Sequence, residues 1–172
     1  MIVRLPAGVL ALCLLQAPAF AQAKATDPQI AHIAYTAGQL DIEAAKQALA
    51  KSKNREVRIF AQDMVRDHTE VNKQALALVK KLKVKPEDND TSRALTKQAA
   101  AKRAELAKLK GAAFDKAYVD NEVAYHRTVN GALENMLIPS ASNPELKSLL
   151  QTGLKLFQGH QQHAEHVAAD VR

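Results

Sequence analysis

Residues 57–82 constrain the fold most. Val57, Phe60, Ala61, Met64, His68, Val71, Ala75, Leu78 and Leu82 recur at steps of three and four, the spacing that lines one face of an α-helix. The stripe runs for about seven turns at 3.6 residues per turn. A helix with so long an apolar face needs partners with matching faces. In the middle of that face stands a histidine, His68.

The partners can be read on either side. Thr26-Asp27-Pro28 opens a first helix, with Asp27 as its expected cap and Pro28 at the first helical position. Its stripe is Ile30, Ile33, Ala37, Leu40, Ala44 and Ala48, reaching Lys51. Ser52-Lys53-Asn54 reads as a tight turn, with Ser52 or Asn54 capping the second helix. Val84 to Asp90, containing Pro86, Asp88 and Asn89, breaks that helix.

A shorter, very polar helix follows from Thr91 to Lys110. Its narrow stripe (Leu95, Ala99, Lys102, Leu106, Leu109) suits a cover rather than a core member, and Gly111 is expected to end it. A third long helix runs from Phe114 to Leu137, with Tyr118, Glu122, Tyr125, Val129, Leu133 and Met136 near one face. Pro139 and residues 140–143 break it. Asn143-Pro144-Glu145 then starts a last helix, Leu146 to Val171, with a cap, a proline and a first-turn acid. Met64 and Met136 fall on stripes and are expected in the core.

Two short turns and one long middle connection define the topology. Short turns make antiparallel neighbours, and a long crossover between the pairs is the ferritin-like arrangement. The expectation is an all-α, ferritin-like antiparallel four-helix bundle, with a short extra helix in the crossover. Composition agrees. The chain has 172 residues, no tryptophan, three tyrosines and four phenylalanines, so the core must be aliphatic and alanine-rich.

Residues 1–23 read differently. Arg4 is followed by an apolar run over Val9–Leu15, and Ala19-Phe20-Ala21 and Ala21-Gln22-Ala23 are small-x-small cleavage sequences. This is the pattern of a Sec signal peptide, implying export to the periplasm and a single mature domain over 24–172. The run is too short to anchor the chain across a bilayer, so no transmembrane segment is expected after processing. Lipid attachment at Cys13 is disfavoured by the large Leu12 before it. Cleavage would remove Cys13, leaving histidine and carboxylate as the metal-binding side chains.

The formal charge of +6 falls to +5 without Arg4. The lysines are dispersed among glutamates, so no nucleic-acid partner is expected. The densest cluster, Lys80-Lys81-Leu82-Lys83-Val84-Lys85, sits at a helix C-terminus, where cations complement the dipole. Its other reading is contact with an anionic envelope surface, lipid head groups or cell-wall polymer.

The chemistry-bearing residues are His68 on the second helix, His126 on the third and His163 on the fourth, all on or beside apolar faces. Asp41 and Glu43 flank the stripe of the first helix. Glu122 and His126 are four apart and share a face. One inward polar residue per helix is how bundles build metal sites. His160 also falls on a stripe and is read as core or core edge, with His166 facing solvent and His32 exposed. A di-iron centre needs Glu-x-x-His on two helices, but the positions three before each histidine are Gln29, Val65, Val123, Phe157, His160 and His163. No nucleophile–base–acid set, phosphate loop or nucleotide-binding turn is present.

Leu40-Asp41-Ile42-Glu43, Ala48-Leu49-Ala50, the run Val57 to His68, the run Gly111 to Val119, His126, and His163-Ala164-Glu165-His166 together resemble the family called domain of unknown function 4142. The resemblance extends from about Asp27 to Ala168. It implies an exported bacterial protein with a ferritin-like helical bundle, and no assigned activity. It points to Glu43, His68, His126 and His163 as matching polar positions. Asp41 stands where glutamate is more usual.

The sequence therefore supports an exported bundle that binds zinc, copper or iron between its helices. The ligands would be His68, His126 and His163, with Glu43 or Glu122 as the carboxylate. The role would be in envelope stress or metal handling. The alternative is a structural or interaction module with hydrogen-bonded core histidines and an anionic partner. Enzymatic use of the metal ranks last, because no general base or nucleophile is identifiable.

Overall fold

The structure, a computed structural model, describes residues 24–171. The signal-peptide reading and Cys13 lie outside the described residues. Helix α1 spans Asp27–Lys51, α2 Arg55–Lys81, α3 Asp90–Ala107 and α4 Gly111–Ala132. Helix α4 continues through a π-helical turn, Leu133–Leu137, into a single turn α5, Ile138–Ser140, and α6 spans Pro144–Asp170. Around the bundle α1 packs on α2, α2 on α6, α6 on α4 and α4 on α1, with α3 laid across α1. This is the expected antiparallel four-helix bundle with a crossover helix. Among the described residues, no helix is long and apolar enough to cross a membrane.

Local chemistry sets the helix ends. Thr26 caps α1 through a capping box with Gln29. Asp27, expected as the cap, is the first helical residue. Its carboxylate instead accepts the backbone N–H groups of Ser142 and Asn143 at 2.8 and 2.9 Å, tying the α5–α6 loop to the start of α1. Asn54 caps α2 by accepting from Glu56 and Val57 at 2.9 and 3.2 Å. Asn143 caps α6 in the same way.

Gly111 opens α4 rather than ending α3, and it takes φ +56°, a left-handed conformation that glycine adopts without a Cβ clash. The crossover helix is fixed to α1 by Gln47 Nε2 donating to the Arg103 carbonyl (3.0 Å), by Lys51 Nζ donating to the Ala107 carbonyl (2.7 Å), and by buried Leu106.

The core forms two apolar clusters. One joins Ala45, Val57, Phe60, Met64, Phe114, Tyr118 and Val167, among others. The other joins Ile30, Ile33, Leu133, Leu137, Leu146, Leu150 and Phe157, among others. Met64 is fully buried as expected, but Met136 is 49% exposed. Met136 lies inside the π turn, where the N–H of Ile138 reaches the Leu133 carbonyl. The wider turn rotates Met136 off the stripe that 3.6-residue spacing assigns it. Pro139, which has no N–H to donate, follows directly.

Candidate metal centre

Between the two apolar clusters lies a polar layer. Asp41 comes from α1, His68 from α2, Glu122 and His126 from α4, and His160 from α6. All five are buried. The ring centroids of the three histidines are 5.2 to 5.8 Å apart. Each histidine offers a nitrogen within 4.8 Å of the other two, and Asp41, Glu122 and His126 form a second such group sharing His126.

Two of the imidazoles are oriented by bonds at their outer nitrogens. His126 Nδ1 donates to its own helix, to the Glu122 carbonyl, at 3.0 Å. His160 Nε2 donates to the Asp67 carboxylate at 3.0 Å. Both acceptors can only accept, so each bond places the ring proton on the outer nitrogen. His126 Nε2 and His160 Nδ1 are left as lone-pair donors with no hydrogen-bond partner. This is the arrangement metal-ligating histidines use, with one nitrogen tied back and the other free. Asp67 is itself held by Arg66 at 2.7 and 3.0 Å.

His68 lies flat on Phe157, centroids 4.6 Å apart and planes 15° from parallel. Its Nε2 is 2.6 Å from Asp41 Oδ2, and His126 Nε2 is 3.4 Å from the same oxygen. Neither contact has hydrogen-bond alignment. Both Asp41 oxygens, both His68 nitrogens and Glu122 Oε2 are buried without a hydrogen-bond partner. Buried polar atoms in native interiors are overwhelmingly paired, so their concentration at one level of the bundle is the main feature of the molecule.

The layer's charges follow from its position. Burial alone would raise Asp41, but the adjacent imidazoles of His68 and His126 overcome it and hold the carboxyl well below the usual range. Glu122 goes the other way: burial first, then the negative charge of Asp41, push it well above the ordinary value. Burial lowers His126, with Asp41 opposing and His68 assisting. Burial likewise takes His160 down to about 4, only partly offset by its bond to Asp67. At neutral pH the layer thus holds the Asp41 carboxylate and two neutral imidazoles oriented by their outer bonds. Neutral imidazole and carboxylate are the forms that ligate zinc, copper and iron.

Of the residues singled out from sequence, His68, Glu122 and His126 are brought together here. Glu43 is not. It sits on the surface, 52% exposed at its side chain, and pairs with Arg103 at 2.6 Å. The α1 carboxylate that reaches the layer is Asp41. His163 is outside it too. Its ring meets Phe60 edge-on at 5.2 Å, and its Nδ1 is 3.9 Å from Asp63 Oδ2. The histidine α6 contributes is His160, one turn earlier. In the lysine cluster, Lys80 and Lys81 occupy the last turn of α2, and Lys81 pairs with Glu145 at 2.5 Å.

Fold and site together define a ferritin-like four-helix bundle with a histidine–carboxylate layer at mid-height. The chain belongs to the family described as domain of unknown function DUF4142, which matches residues 14–167. Two solved structures share its fold. One is a DUF305 protein from Streptomyces coelicolor described as secreted, with a TM-score of 0.71 at 13% identity, covering 83% of this chain and 91% of that one. The other is CopM in its Cu(II)-bound form, with a TM-score of 0.66 at 14% identity, covering 87% of this chain and 99% of that one. No curated protein matches the chain.

Proposed function

We propose that the protein is an exported metal-binding bundle that holds a late transition ion in its polar layer. His68, His126 and His160 are its imidazole ligands. Asp41 is its anionic ligand, and Glu122 stands beside Asp41 as a second carboxyl group. The observation that carries this is the set of buried, unpartnered nitrogen and oxygen atoms converging from all four long helices. Three nitrogens held by one ion at about 2.0–2.1 Å stand at most about 3.6 Å from one another, whereas those of the histidine group lie within 4.8 Å. Binding would draw the nitrogens together by at most about 1.5 Å.

For such an N/O donor set, affinity among divalent ions peaks at Cu²⁺. The fold shared with Cu(II)-bound CopM runs in the same direction. Placement in the periplasm, in metal handling or envelope stress, rests on the signal-like residues 1–23 and on the likeness to a secreted DUF305 protein. The reading is of a binding protein rather than an enzyme.

The test is thermal unfolding of chelator-stripped protein against added Cu²⁺, Zn²⁺ and Fe²⁺. At about 100 times its dissociation constant, an ion binding only the folded state adds about 2.7 kcal/mol, or about 5–10 °C for a chain of this size. His68→Ala, His126→Ala and His160→Ala should each abolish the shift. Glu43→Ala and His163→Ala should keep it. No shift with any ion, or equal loss in the two outlying variants, would refute the assignment.

A further inference from the structure

We propose that the protein also binds a small uncharged hydrocarbon-bodied molecule, in an apolar cavity that shares a wall with the polar layer. The cavity has a volume of about 250 Å³ and lies between α1, α2, α4 and α6, against the π turn. This goes beyond the metal reading and does not depend on it, because aliphatic side chains form most of the walls.

Four observations carry the proposal. The first is size. Native interiors contain few voids larger than a water molecule, and an engineered apolar cavity of about 150 Å³ accepts benzene. The volume here suits a molecule of naphthalene size or a short alkyl chain.

The second is chemistry. Among the described residues, no lysine, arginine, aspartate or glutamate lines the cavity, and its only titratable side chains besides Tyr125 are His68 and His126. A charged occupant would find no counter-charge.

The third is how the space is kept open. Ala34 and Ala37 on α1, Ala75 on α2 and Ala132 on α4 face it from three helices, where leucines would fill it. The π turn supplies Leu133, Met136 and Leu137 to the wall. Isolated π turns inside α-helices are frequent at functional sites.

The fourth is access. Thr91 and Thr128 on the lining are exposed and Met136 is half-exposed, so the cavity meets solvent at their end and His68 and His126 at the other. Pockets between bundle helices with apolar walls are where such proteins take small molecules.

The test is a fluorescence titration of chelator-treated protein with 1-naphthylamine, a neutral probe of naphthalene size that brightens in apolar surroundings. A saturable rise with one site per chain is expected, reversed by naphthalene and at least ten-fold less effectively by 2-naphthoate. Ala34→Leu and Ala75→Leu should each weaken the probe at least ten-fold without lowering the melting temperature. Ala75→Val, which adds less bulk, should weaken it about two-fold. The proposal is overturned if the wild-type protein gives no saturable rise. It is also overturned if the folded filling variants bind as tightly as wild type, or if naphthoate competes as well as naphthalene. Because no metal is present in this titration, its failure leaves the metal-shift experiment standing, and the reverse.

Discussion

Asp41→Asn separates the site seen in the structure from the one read in the sequence. The substitution keeps the side chain's shape, so it opens no cavity; it removes the charge and turns one acceptor oxygen into an NH2 donor. That charge lies 2.6 Å from His68 Nε2 and 3.4 Å from His126 Nε2, in a layer where the Asp41 side chain is fully buried. Losing the acceptor of a buried contact of this kind costs about 1–3 kcal/mol. For a chain of this size, each kcal/mol lowers the melting temperature by about 2–4 °C. The stripped variant should therefore melt about 2–4 °C lower even at the small end of that range.

The metal response should fall as well. If the lost ligand weakens binding ten-fold, an ion that gave wild type about 2.7 kcal/mol should give the variant about 1.4 kcal/mol at the same concentration. A double-mutant cycle with His68→Ala should show coupling of about 0.5–3 kcal/mol, as expected for groups in contact. Glu43→Gln is the control. Its exposed pair with Arg103 is worth about 0–1 kcal/mol, and its metal response should match wild type. The reasoning is refuted if Asp41→Asn melts with wild type and responds fully to metal, or if Glu43→Gln is the variant that loses the response.

Acid should destabilise the metal-free protein through His160. Its folded value of about 4 lies below the ordinary 6.5, so the unfolded chain takes up the proton first. Stability should be fully present above pH about 6.5 and decline towards pH 4, by up to about 3 kcal/mol. Urea midpoints at pH 7.5, 5.5 and 4 read this, and His160→Gln should flatten the profile; an unchanged profile would count against it. Gly38→Ala should cost about 1–3 kcal/mol by overpacking, because a Cβ there would stand 2.5 Å from Asn72 Oδ1. Asn72→Ala in the same chain should recover most of the loss, and purely additive costs would remove the explanation.

The bundle was legible because its signals are local. Stripes at helical spacing, Asn54 and Asn143 before their helices, and the broken segments around Pro86 and Pro139 are all visible in the chain. The site was half legible. Asp41 lies four residues after Ala37 and three before Ala44, squarely within the buried face, whereas Glu43 is two residues further round, on the side that α3 salt-bridges. His160 likewise stands three after Phe157 and four before Ala164 on the buried face of α6, which leaves His163 at the edge. The stripes carried this information, but the family resemblance pointed to Glu43 and His163 instead. The π turn left no comparable trace. Helical periodicity assumes 3.6 residues per turn, and one wider turn before Pro139 moved Met136 to the surface and shaped the cavity wall.

The position of the polar layer argues that it is not there for stability. Each unpartnered buried polar atom costs about 1–3 kcal/mol, in proteins whose whole stability is about 5–15 kcal/mol. Apolar residues at the same five positions would join the two aliphatic clusters into one, an exchange that is often neutral or stabilising. Structural hydrogen bonding would leave the atoms paired, yet the paired nitrogens are the outer ones, held by the Glu122 carbonyl and Asp67, and the free ones face the layer. All four long helices interrupt their apolar faces at the same height. An ion that binds the folded state alone would return the cost of the layer as binding free energy, and so couple the protein's stability to the metal it meets.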